Sequence, residues 1–291
     1  MEQIFDANLL ARNRERAFIR HGGEAGFLLD IVAEELAERL AVVERHFEDA
    51  AELHGLDGRV AETCKRTGRI GRLQRIETSD VFSSPGLPVT EAPLETLPLV
   101  PQSINLALSP LSLHLANDLP GLLIQIRRAL KPDGLLLAAV AGAGTLGELR
   151  DVLLSTEAEL TGGASPRVIP FADVRDLGGL LQRAGFALPV VDVEDYTVRY
   201  DSLFPLMQDL RAMGMANPLL GRSRKPISRA FFLRAAELYA ERYSDPDGRI
   251  RATFSIIYVS GWAPDASQRK PLKPGSATTR LADVLRRAED L

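Results

Sequence analysis

The sequence predicts an α/β fold, a parallel sheet with crossover helices. Two observations carry this reading. Apolar runs of strand length alternate along the chain with segments of helical spacing. One unit is also complete: an apolar strand from Ile104 to Leu108, a polar loop, a helix from Pro120 to Leu130, a Lys131-Pro132-Asp133-Gly134 turn, and a strand from Gly134 to Val140.

The other elements follow in order. Arginines 12, 14, 16 and 20, mixed with Glu2, Asp6 and Glu15, mark an N-terminal helix. A matrix-targeting peptide is poor in acids, so this segment reads as part of the mature chain. Residues 27–45 repeat apolar groups at helical spacing (Phe27, Ile31, Leu36, Leu40). Val42 to Leu53 holds a first strand, Gly58 to Lys65 the helix after it, and Gly71 to Glu77 a second strand. Residues 79–103 are rich in Pro and Ser and read as loop. Helical patterns cover Leu146 to Leu160, Phe171 to Ala184, Leu203 to Met213 and Ser228 to Tyr243, and strand alternation covers Pro189 to Tyr200 and Ala252 to Trp262. The organisation expected is an N-terminal helical segment (1–45), a main domain (46–263) with a helical insertion at about 200–245, and an extended tail (264–291).

Composition narrows the functional classes. The 291 residues are 45% hydrophobic and 25% charged, with a net charge of −4. That balance is ordinary for a globular protein and gives no broad basic footprint for nucleic acid. No apolar run approaches the roughly 20 residues that cross a bilayer. The one cysteine, Cys64, rules out an intramolecular disulfide within this chain and fits a reducing compartment. No His, Cys or carboxylate cluster has metal-ligand spacing, so no metal is expected.

Several stretches together carry a resemblance. They are Ser112-Leu113-His114, Asn117-Asp118-Leu119-Pro120, Leu130-Lys131-Pro132-Asp133-Gly134, Gly144-Thr145-Leu146-Gly147-Glu148-Leu149-Arg150 and Gly261-Trp262. The chain resembles class I S-adenosylmethionine (SAM) methyltransferases. Within them it looks like the mitochondrial complex I assembly factor family (methyltransferase-like, arginine hydroxylase), with the malonyl-carrier-protein methyltransferases of biotin synthesis as general relatives. The resemblance implies a seven-stranded, doubly wound, Rossmann-like sheet with helical cover elements. It implies SAM as cofactor and a protein or carrier-bound client, such as a subunit of respiratory NADH:quinone oxidoreductase.

The resemblance also assigns residues. The cofactor loop, an acid followed by glycines in such enzymes, corresponds to Glu52-Leu53-His54-Gly55-Leu56-Asp57-Gly58. Glu52 keeps the acid and Gly58 the last glycine, and Gly55 between them is a further candidate cofactor contact; His54 and Leu56 stand where glycines belong, so the loop is degenerate. Glu77 falls at the acid that binds the ribose hydroxyls, while Pro93 and Asn105 replace acids of the pattern. His114 is the candidate catalytic or substrate-contact residue, and Glu148 and Arg150 are candidate substrate contacts. Two functions therefore compete: a SAM-dependent enzyme, and a pseudoenzyme that keeps the fold as an assembly scaffold and binds SAM weakly or not at all. A third possibility, a pocket remodelled for another small ligand, has no specific sequence support. The expected location is bacterial cytoplasm, or the mitochondrial matrix for a eukaryotic source.

Overall fold

A computed structural model of the chain describes residues 3–22, 26–84 and 86–268. Helix α1 (Ala7–His21) and α2 (Phe27–Ala41) precede β1 (Phe47–Leu53), α3 (Arg59–Arg66), β2 (Ile70–Glu77) and β3 (Val89–Glu91). Then come β4 (Ile104–Pro110), α4 (Leu119–Ala129), β5 (Leu130–Ala141), α5 (Gly147–Thr161), α6 (Val174–Arg183) and β6 (Ala187–Tyr200). Last are α7 (Leu203–Ala212), α8 (Arg229–Tyr243) and β7 (Ile250–Trp262). The strands form one seven-stranded sheet in the order β3-β2-β1-β4-β5-β7-β6. The pairings from β3 to β5 are parallel, and β7 runs antiparallel to both neighbours. The sheet is thus mixed rather than wholly parallel.

The period-2 pattern of the central strands explains why both faces are covered. Leu106 and Leu108 of β4 and Leu135, Leu137 and Ala139 of β5 face one apolar layer, which α2, α3, α5, α7 and α8 close. Ile104, Ala107, Leu136, Ala138 and Val140 face the other, closed by α4 and α6. Cys64 of α3 lies wholly inside the first layer, and burial pushes its thiol up to about 12, so it acts as a core side chain.

Two local features differ from the sequence reading. The Lys131-Pro132-Asp133-Gly134 turn is a bulge inside β5. The register with β4 jumps from Ile104–Leu130 to Leu106–Leu135 across it, and Asp133 takes a positive φ of 60°. The segment 79–103, read as loop, contains the short edge strand β3, whose Thr90 and Glu91 pair with Ile76 and Glu77. The expected extended tail falls mostly on residues 269–291, outside the described residues.

Helix α4 starts as its sequence suggests. Asp118 is its N-cap, with Oδ1 accepting from the Gly121 N–H at 2.9 Å, and proline follows in the first turn. Asp118→Ala is expected to lower stability by about 1 kcal/mol, read as a fall in the urea midpoint with an unchanged slope. The preceding Asn117 does something else: its Oδ1 accepts from the N–H groups of Ile4 and Phe5, both at 2.8 Å. Phe5 also bridges to Leu219. The N-terminal segment is thereby strapped over the carboxyl edge of the sheet, carrying α1 with it.

Candidate active site

The chain leaves β1 outward to β2 and β3, then returns to β4 on the other side of β1. That reversal opens a crevice at the carboxyl ends of β1 and β4, where open α/β sheets bind ligands. A cavity of about 110 Å³ lies there. Its walls come from the loop after β1 (His54, Leu56), the segment after β4 (Leu111, His114), the segment after β5 (Thr145, Leu146), and α1, α2 and α7.

The loop after β1 keeps the backbone path of a glycine-rich loop without its glycines. His54, Leu56 and Gly58 have φ of 56°, 67° and 81°. The left-handed region costs an L residue roughly 1–2 kcal/mol, so this geometry must be held by its contacts. His54 N–H donates to the Ile76 carbonyl at 2.8 Å, and Leu56 N–H donates to Glu77 Oε1 at 2.5 Å. The carbonyl of His54 accepts from Arg14 Nη2 at 2.8 Å, and that of Leu56 accepts from Arg75 Nη2 at 2.5 Å. The loop's two glycines are required for space. A Cβ at Gly55 would lie 2.5 Å from the Glu52 carboxyl carbon, and one at Gly58 would lie 2.9 Å from the Arg75 guanidinium.

Glu52 and Glu77 are both wholly buried. Glu52 accepts from the Ala61 N–H in the first turn of α3 at 2.8 Å and from Arg75 Nε at 2.7 Å. Arg75, the direct register partner of Glu52, also donates to the carbonyls of Phe82 and Leu87, at 3.0 and 3.3 Å. It stitches the loop after β1 to the loop after β2. Glu77 is satisfied on one oxygen only: Oε2 has no hydrogen-bond partner and lies 3.8 Å from Arg14 Nη2. Burial, only partly offset by Arg14, pushes its carboxyl up to about 7.

His114 lies on the cavity wall. Its Nδ1 accepts from the Ala141 N–H at 3.4 Å. Burial and the nearby Arg14 push it down to about 3, so the ring is neutral and its one proton sits on Nε2, which has no partner. His114 is therefore a neutral ring on the cavity wall whose buried Nε2 has no partner among the described residues. His54 is likewise pushed down to about 3 by burial and Arg14. Arg14 leaves Nη1 buried and unpaired.

The structure thus brings Glu52, Gly55, Gly58 and Glu77 together behind the loop after β1, where none of the four lines the cavity, whereas His114 does. Glu148 and Arg150 stand apart from its walls: Glu148 accepts from Thr253 of β7, while Arg150 donates to the Ile169 carbonyl and stacks on Phe171. Sequence reasoning missed Arg14 and Arg75. Arg14 did leave a signal, since it shares the buried face of α1 with Leu10 and Ala17, at i, i+4 and i+7.

Comparison with known proteins places the fold and family. Residues 50–138 match the family model of a methyltransferase domain. A SAM-dependent methyltransferase of Thermotoga maritima superposes with a TM-score of 0.50 at 16% identity, covering 87% of this chain and 99% of that one, which shows the shared fold. The mitochondrial arginine-hydroxylase NDUFAF5 of Danio rerio is 35% identical over 97% of this chain and 89% of its own length. The human protein of that name is 37% identical over 97% and 83%. The chain belongs to the NDUFAF5 family. A malonyl-[acyl-carrier protein] O-methyltransferase of Laribacter hongkongensis is 38% identical over 63% of this chain and 59% of its length. This member of the NDUFAF5 family is a methyltransferase-like protein, and its domain match supports SAM as the cofactor. Two unpaired buried atoms suit that molecule: Arg14 Nη1 for a carboxylate and Glu77 Oε2 for a hydroxyl.

The two ends of this site titrate with opposite sign. Glu77 has its folded pKa raised from 4.5 to about 7, so its contribution is fully present below 4.5 and is lost as pH rises through 7. The two depressed histidines act the other way, losing stability as pH falls from 6.5 towards 3. A Glu77→Gln variant separates them. It is expected to gain stability over the native chain at pH 8, on the order of 3 kcal/mol, and to show no gain at pH 4.5. Urea unfolding at the two pH values measures the difference.

Proposed function

We propose that this chain is a SAM-dependent enzyme of the methyltransferase class that acts on a protein client in the assembly of respiratory NADH:quinone oxidoreductase. Its mitochondrial relatives are named arginine-hydroxylases, which points to an arginine side chain of the client as the group modified. The observation that carries the reading is the set of unpaired buried polar atoms on Arg14, Glu77 and His114, which ask for a ligand with a carboxylate, hydroxyls and an acceptor atom.

When bound, SAM supplies an activated methyl group. The protein's own part is binding and orientation. Arg14 pairs with a carboxylate, ionised Glu77 accepts from hydroxyls, and Glu52 holds the loop through the α3 N-terminus. Leu56, Leu111 and Leu146 would exclude water, and His114 completes the cavity wall beside Leu111. Methyl transfer depends mostly on the alignment of donor and acceptor, which is what these residues would supply. The setting is the mitochondrial matrix for a eukaryotic source and the cytoplasm for a bacterial one.

A specific observation favours a second reading, the scaffold. Arg75 bonds to both loops that flank the ribose acid, and Phe82, fully buried, packs on Phe18 at 5.2 Å. If those contacts never part, the fold serves as a docking platform only. Complementation separates the two readings. In a strain lacking this gene, Glu77→Ala abolishes assembled NADH:quinone oxidoreductase under the enzyme reading and restores it fully under the scaffold reading.

A further inference from the structure

Beyond the cavity, the structure has a second concavity, on the exposed side of the α1/α7 pair. It has a volume of about 370 Å³ and is lined by Asn13, Arg16, Arg20 and His21 of α1 and by Gln208 and Arg211 of α7. Its lining carries no carboxylate. None of Arg16, Arg20 and Arg211 forms an ion pair among the described residues. Some other surface arginines do: Arg199 with Asp245 and Asp247, Arg234 with Glu159, Arg242 with Asp151. In a chain of net charge −4, this groove sets three guanidinium groups together with no carboxylate in its lining. Asn13 Nδ2 donates to the Ala216 carbonyl at 3.0 Å, which fixes α1 to the end of α7 and makes the groove a built feature.

Its position gives it a use. Ala17 lines both this groove and the cavity, so one turn of α1 separates them. We infer that the groove docks an acidic segment, rich in Asp and Glu, of the protein client, holding the client beside the cavity mouth; this rests on the proposed function in taking the partner to be a protein substrate. Three guanidinium groups in a concave site suit discrete carboxylates, and Gln208 adds an amide. The same charge would speed encounter and be screened by salt.

The test uses the full chain and a fluorescein-labelled peptide of alternating Glu and Gly, with the Gln-Gly peptide as control, followed by anisotropy at 50 and 300 mM NaCl. The Glu peptide is expected to bind and the Gln peptide not. The triple variant Arg16→Gln/Arg20→Gln/Arg211→Gln is expected to lose affinity by about tenfold or more, while Arg199→Gln on another face keeps it. All these side chains are exposed, so the variants should fold, and circular dichroism checks this. Equal binding by the triple variant, no binding of the Glu peptide at low salt, or binding instead to phosphatidylglycerol vesicles that the triple variant loses would each overturn the inference. SAM titration of the triple variant reads the cavity independently. Loss of SAM binding in every form would remove the enzyme reading and leave the peptide result to stand or fall alone.

Discussion

Arg75→Leu is expected to destabilise the protein by about 3–5 kcal/mol, the cost of leaving a buried charge without its partner. The change would strip Glu52 of its 2.7 Å bond, leave the carbonyls of Leu56 and Phe82 without their donor, and leave that of Leu87 with the Ser84 N–H alone. Glu52 is held otherwise only by the Ala61 N–H. The loop after β1, already in left-handed backbone at His54 and Leu56, would lose one of the contacts that hold it there. Thermal unfolding and urea titration give the magnitude. The double variant Arg75→Leu/Glu52→Leu should recover part of the loss, because the pair is then removed together and only the carbonyl contacts remain missing. A loss below 1 kcal/mol for the single variant would mean that the guanidinium is not engaged as described.

Glu77→Ala is expected to weaken SAM binding by about tenfold to a hundredfold, the usual worth of hydrogen bonds to a charged, buried acceptor. Glu77→Gln, which keeps an oxygen for the Leu56 N–H, should also weaken binding while stabilising the unliganded fold at pH 8, since it removes a carboxylate whose burial is unfavourable. Affinity and stability would therefore move in opposite directions, which a merely structural residue would not produce. The affinity of the native chain should also rise between pH 6 and 8, as Glu77 ionises and both oxygens become acceptors. Calorimetry at two pH values reads both effects.

Much of the fold was legible because its signals are local. The apolar runs in Ile104–Pro110 and Leu135–Ala141 mark strands buried on both faces, and Asn117-Asp118 before Leu119-Pro120 marks the start of α4. The edge strand β3 was not legible: three residues in a Pro- and Ser-rich segment show no period, and pairing with Ile76 and Glu77 creates it. The antiparallel direction of β7 depends on the long chain between it and β5, which periodicity does not describe.

The candidate site divides the same way. Glu52, Gly55, Gly58 and Glu77 could be proposed from the resemblance of one loop and one strand end to the methyltransferase pattern. The Glu52–Arg75 pair could not, because it depends on the register between β1 and β2. Nor could the meeting of Arg14 with His54 and Glu77, which are 40 residues or more away and are joined to it only when Asn117 straps the N-terminus down. Charge at a helix's apolar positions, as at Arg14, is the one sequence signal that pointed to a buried role.

The central claim is that the unpaired atoms of Arg14 and Glu77 hold SAM despite the altered loop. Isothermal titration of the purified chain with SAM at pH 8 tests it most directly. Binding in the micromolar range, about −8 kcal/mol, that is lost on Arg14→Met is the expected result. No heat at millimolar SAM, from a chain that is folded and monodisperse, would contradict it and leave the scaffold as the function.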